Sequence, residues 1–175
     1  YKKIVNKIVS FSNFLGNNSF LKIENLNNLN VSKEVVIYSL AWGTYLETYF
    51  KYTLPSLLNQ SNVPALIDAG FKITIELHSI DSDEKIRNKY KKELENIKLK
   101  SHNFNISVIE NKNEAVGEIA LNSLIKIFKY CINKKSIMFM ASPDNIYCNY
   151  SLLNSVLFVY AKRKGLASPH PRINT

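Results

Sequence analysis

No run in this chain reaches the roughly 18 apolar residues that a membrane helix needs. The most apolar stretch, Val156 to Ala161, falls far short of that length. Tyr1 to Leu15 lacks the unbroken apolar core and small-residue cleavage site of a signal peptide, because Lys2, Lys3 and Lys7 interrupt it. Cysteine is confined to Cys131 and Cys148, which have no metal-ligand spacing and fall in different expected elements. Reduced thiols are therefore expected. Together these absences predict a soluble, cytoplasmic protein. Neither G-x-G-x-x-G nor G-x-x-x-x-G-K-[ST] occurs, so the dinucleotide fingerprint and the P-loop are excluded. No internal repeat is present.

Arginine is scarce as well, appearing only at Arg87, Arg163 and Arg172. The formal charge of +9 invites a nucleic-acid reading. However, the usual residue of base readout is nearly missing. The lysines are spread over expected helix surfaces among acids such as Glu93 and Glu95. Nucleic acid is therefore not an expected partner. A basic surface would still attract phosphorylated ligands or anionic lipid head groups. That is the basis for expecting peripheral association with the inner face of a membrane.

The 175 residues, 46% of them apolar and 21% charged, suffice for one domain with a hydrophobic core. The sequence opens on Tyr1 rather than Met and stops just after a run that reads as a strand. We therefore expect a piece truncated at its C-terminus. Residues 1–33 read as an amphipathic helix, with Ile4, Ile8, Phe11 and Leu15 at helical spacing, and an Asn-rich approach. Residues 34–175 read as an α/β domain.

Four short apolar runs, 35–40, 71–77, 104–109 and 136–140, predict strands. Helical patterns separate them. The first carries Leu46, Phe50, Leu54 and Leu57, with Tyr45, Tyr49 and Tyr52 as a second stripe and Pro55 as an interruption. Asn62-Val63-Pro64 reads as a turn. The next helix turns Ile86, Tyr90, Leu94 and Ile97 inward, capped by Asp81 or Ser82. A third, from about 113 to 132, presents Val116, Ile119, Ala120, Leu124, Ile127 and Phe128. A fourth starts near Tyr150, capped by Asn149 or Ser151, buries Leu153, Val156, Leu157 and Tyr160, and ends at Gly165. Leu166 to Ser168 and Arg172-Ile173 read as strand pieces. This alternation predicts a mainly parallel sheet with helices on both faces. Ligands bind such sheets beyond the carboxyl ends of the strands, which selects the loops 41–45, 78–82, 110–114 and 141–149.

In the first loop, Trp42 can stack on a base or a sugar, or plug the top of the core, and Gly43 permits close backbone approach. Ser39, near the end of the first strand, joins this candidate group. In the second, His78 can hydrogen-bond a base or ribose, whereas Asp81 and Asp83 read as ordinary acids of a helix start. In the fourth, Asp144 follows an apolar strand. It can hold a divalent metal that bridges a diphosphate, receive sugar hydroxyls together with Asn145, or simply make a local turn.

The order of these elements resembles the nucleotide-binding part of the GT-A-fold glycosyltransferase superfamily. Residues 113–146 are similar to the segment that ends in that superfamily's Asp-x-Asp motif. Trp42-Gly43, Thr53-Leu54-Pro55-Ser56-Leu57-Leu58 and Ser142-Pro143-Asp144-Asn145-Ile146-Tyr147 resemble a group of bacterial glycosyltransferase-like proteins. The resemblance spans about residues 34–173. It implies a Rossmann-like, GT-A-like sheet, a nucleotide-sugar donor, a glycan or lipid-linked acceptor, polysaccharide biosynthesis, and a divalent Mn or Mg ion on Asp144. Ala141 and Pro143 stand where acidic residues are usual, so either Asp144 alone supports the metal or His170 and Arg172 neutralise the diphosphate instead. No catalytic base is assigned. A non-catalytic nucleotide- or sugar-binding module is the alternative function, and a basic nucleic-acid-binding domain the second alternative. A Rossmann-type methyltransferase would need the glycine-rich first loop that is missing.

Overall fold

A computed structural model describes residues 31–80, 83–98, 102–111 and 116–162. The expected helix over 1–15, the caps Asp81 and Ser82, the terminator Gly165, the strand pieces after it, and the site candidates His170 and Arg172 lie outside these residues.

The described chain is an α/β structure built on four parallel strands: β1 (Glu34–Leu40), β2 (Lys72–Ile80), β3 (Phe104–Asn111) and β4 (Ile137–Met140). Their order is β3-β2-β1-β4. Between β1 and β2 run α1 (Thr44–Thr48), a π-helical turn (Tyr49–Thr53), α2 (Leu54–Leu57) and α3 (Val63–Asp68). Helix α4 (Glu84–Lys98) joins β2 to β3, α5 (Val116–Lys134) joins β3 to β4, and α6 (Ser151–Lys162) follows β4. Among the described residues no helix is long and apolar enough to cross a membrane.

Alternation along each strand separates two cores. Val35, Ile37, Ile73, Ile75, Leu77 and Ile106 are fully buried against Leu46, Leu57, Leu66, Tyr90, Leu152 and Tyr160 of the helices. Each fully buried Ile or Leu contributes roughly 1.5–3 kcal/mol. The opposite face carries Val36 and Tyr38, packed on Ile127 and Cys131 of α5. That face also holds Glu76 and His78, in register with Tyr38 and Leu40.

All four expected strands are present and parallel, but several boundaries differ. Strand β2 runs on through His78 and Ser79 to Ile80, and β3 through Glu110 to Asn111. Asn62-Val63-Pro64 opens a helix rather than a turn. Pro64 sits in the first turn of α3, where its missing N–H would have had no intrahelical partner. Pro55 likewise occupies the first turn of α2, so the chain stays helical there. On α5 the buried row is Ile119, Ser123, Ile127 and Cys131, while Phe128 is exposed. Ser123 faces inward because Tyr38 needs a partner under the helix: the two hydroxyls are 2.8 Å apart. Both cysteines are free thiols, and burial raises the pKa of the Cys131 thiol.

Candidate functional site at the β1–β4 switch

The chain winds from β1 to β2 and β3, then returns through α5 to the far side of β1. The loops leaving β1 and β4 therefore diverge at their carboxyl ends, which opens a crevice of the kind where ligands bind in such sheets. Its floor is tied together. The Ala41 N–H donates to His78 O at 3.0 Å, and the Ala141 N–H to Tyr38 O at 2.8 Å. Ser39 Oγ, buried, donates to Ala141 O at 2.8 Å. Ser39 is thus committed to joining the two strand ends. Beneath it the Tyr49 phenol is fully buried. That burial pushes its pKa up, and the Ser39 hydroxyl offsets the rise only in part.

The β1 loop turns on Gly43, whose φ of 55° and ψ of −132° strain any residue with a side chain. A Cβ there would meet nothing within 4 Å, so the backbone faces open space. The Gly43 N–H donates to Asp83 Oδ1 at 2.9 Å. Asp83 is only 4% exposed, and its Oδ2 has no hydrogen-bond partner among the described residues. A buried, unpaired carboxylate oxygen is costly, so this one is poised to accept a donor that the described residues do not supply. Trp42 remains 37% exposed and lies against Tyr45, with ring centroids 6.5 Å apart at 58°.

The β4 loop is held from below. Thr53 Oγ1 donates to Pro143 O at 2.7 Å, and the Tyr147 N–H donates to Ser56 Oγ at 3.0 Å. Buried Asn62 donates to Ser56 O and Cys148 O and accepts from the Leu152 N–H. Asn149, expected to cap α6, accepts instead from Ser61 Oγ at 3.2 Å. Tyr147 packs edge-on against Phe139, and burial raises its phenol pKa. With the loop fastened at 143 and 147, Asp144 is left exposed at its crest, accepting a hydrogen bond from Ser142 Oγ.

The sequence candidates therefore separate. Trp42, Gly43, Asp144 and Asn145 lie on the two loops of the switch. Ser39 sits under them. His78 does not lie in a rim loop: it is inside β2, 2% exposed, on the sheet face covered by α5. Its ring stands 5.4 Å from that of Tyr38, and its Nε2 is 3.5 Å from Glu76 Oε2. Asp83, which reads in sequence as an ordinary helix-start acid, is the residue that bonds the β1 loop. Among the described residues no three His, Cys, Asp or Glu side chains group to hold a metal ion. Asp144 could bind a cation only alongside oxygens of a ligand and water.

Comparison with protein-family models, curated proteins and solved structures found no match for this chain.

Proposed function

We infer that the chain binds a nucleotide-sugar and forms the donor-binding part of a glycosyltransferase that acts on a glycan or lipid-linked acceptor. The observation carrying this reading is the pairing, at the switch point, of an open Gly43 backbone with the unpaired Oδ2 of buried Asp83. The strand order matches the first four strands of the doubly wound nucleotide-binding arrangement, a likeness of fold alone. In this reading Asp83 accepts an N–H or O–H from the nucleoside. Trp42 offers a stacking surface for the base or sugar. Gly43 lets the diphosphate approach the main chain. Asp144 and Asn145 receive sugar hydroxyls. A bound Mn or Mg ion would balance the diphosphate charge, with Asp144 as one ligand of a largely hydrated ion. The chain's contribution to transfer is then positioning and charge stabilisation.

Ala141 and Pro143, which leave Asp144 as the sole carboxylate of its loop, favour a second reading: a binding module without turnover. Trp42 is the only tryptophan, so its fluorescence reports directly on the crevice. Titration with uridine and guanosine diphospho-sugars, each with Mn²⁺ and with chelator, should change that fluorescence saturably. Asp144→Asn should abolish the difference between metal and chelator. Saturable binding without hydrolysis or transfer would select the module. No response to any nucleotide, with binding of a DNA or RNA duplex instead, would sink both readings.

A further inference from the structure

Next to this crevice, exposed aromatic rings continue along one flank of the first helix. Tyr45 is 50% and Tyr52 46% exposed, each a large ring that solvent does not favour. The two are seven residues apart, about 10 Å along a helix axis, a span that a short oligosaccharide covers. Tyr45 touches Trp42 at the rim. Tyr52 directly precedes Thr53 and stands one turn before Ser56, the two residues that fasten the β4 loop at Pro143 and Tyr147. The fastening brings the crest of that loop, with Asp144, Asn145 and exposed Ile146, alongside the helix that carries the tyrosines. Lys51 Nζ lies 5.1 Å from the Tyr52 ring centroid, a cation–π contact that restrains the ring.

Flat rings beside a carboxylate and an amide suit one class of ligand. A pyranose presents an apolar C–H face that stacks on an aromatic ring, and a rim of hydroxyls that a carboxylate or amide can hydrogen-bond. We propose that Tyr45, Tyr52 and the loop crest 144–146 form a glycan subsite that holds the acceptor next to the donor crevice. The assignment rests on the nucleotide-sugar reading for the word acceptor; the glycan contact itself does not. Tyr45 and Tyr52 bind and position the sugar and take no part in bond making.

The test uses the chain with chitotriose, cellotriose and maltotriose as probes, read by saturation-transfer NMR, and with uridine diphosphate read by Trp42 fluorescence. At least one trisaccharide should bind. The Tyr45→Ala/Tyr52→Ala double variant should weaken it at least tenfold while leaving the nucleotide affinity within twofold. Tyr52→Phe, which keeps the ring, should retain most of the sugar affinity and guards against a folding defect in the alanine variant. Nucleotide binding without binding of any trisaccharide overturns the subsite and leaves the donor reading standing. Sugar binding that the double variant does not weaken also overturns it. Tyrosine-dependent sugar binding without nucleotide binding keeps the subsite and removes the donor reading. Binding of neither ligand ends both.

Discussion

The Gly43 N–H and the Asp83 carboxylate meet at 2.9 Å, joining the loop after β1 to the start of α4 across the top of β2. The bond uses only Oδ1, and the two oxygens of one side chain thus have different employment. Asp83→Asn keeps an acceptor for Gly43 but replaces the free oxygen with a donor. It should leave the unfolding midpoint near wild type and weaken nucleotide binding at least tenfold, as calorimetry would measure. Asp83→Ala should lower stability as well, by about 1–3 kcal/mol. Unchanged nucleotide affinity in the asparagine variant would make Asp83 a purely structural tie.

Gly43→Ala separates conformation from crowding. The space is open, so no clash opposes the methyl group. The dihedrals alone oppose it, at a cost of about 1–3 kcal/mol. Chemical denaturation should find that loss. A variant as stable as wild type would mean the loop rearranges freely and is no fixed part of the crevice.

The pair Glu76 and His78 makes stability depend on acid. The His78 imidazole facing Glu76 holds its carboxyl pKa below the usual value, an effect that burial partly opposes. A carboxyl depressed in the folded state stabilises fully above its unfolded pKa, about 4.3, and loses that contribution as pH falls through the folded value. Between pH ~5 and the lower folded value, wild type should lose more stability than Glu76→Gln. Urea midpoints at several pH values would measure it, and parallel curves would refute the coupling.

Asn62 holds the base of the β4 loop with three hydrogen bonds while wholly buried. At about 1 kcal/mol each, Asn62→Leu should cost roughly 3 kcal/mol, plus whatever the unpaired carbonyls add. Hydrogen exchange should rise around residues 148–152. A small loss confined to global stability would mean that the loop holds its place without this anchor.

The strands were legible because β-branched and apolar residues cluster in short runs that a parallel sheet must bury. Their ends were less so. His78 looked like the first loop residue because a polar side chain seemed to end β2. In fact the strand continues with its polar row, Glu76 and His78, under α5. Pro64 looked like a turn for a similar reason: proline signals both turns and first turns of helices, and only the packing of Val63 and Leu66 decides between them. Trp42, Gly43 and Asp144 could be placed because each directly follows an apolar run. Asp83 could not, because its role depends on Gly43, forty residues away, and local sequence carries no trace of that bond.

The π-helical turn at Tyr49–Thr53 closes with the Leu54 N–H bonded to Tyr49 O, five residues back instead of four. It behaves like an α-helix with one residue too many. The helix on either side of it is therefore out of phase, and each segment answers to a different neighbour. Leu46 on one side is set by the core, while Ser56 on the other is set by the β4 loop. Deleting a single residue here would straighten the helix and swing Ser56 by about 100° around the axis, away from Tyr147. One surplus residue thus acts as a phase shifter, letting a continuous rod serve two docking angles that a regular helix could satisfy only one at a time.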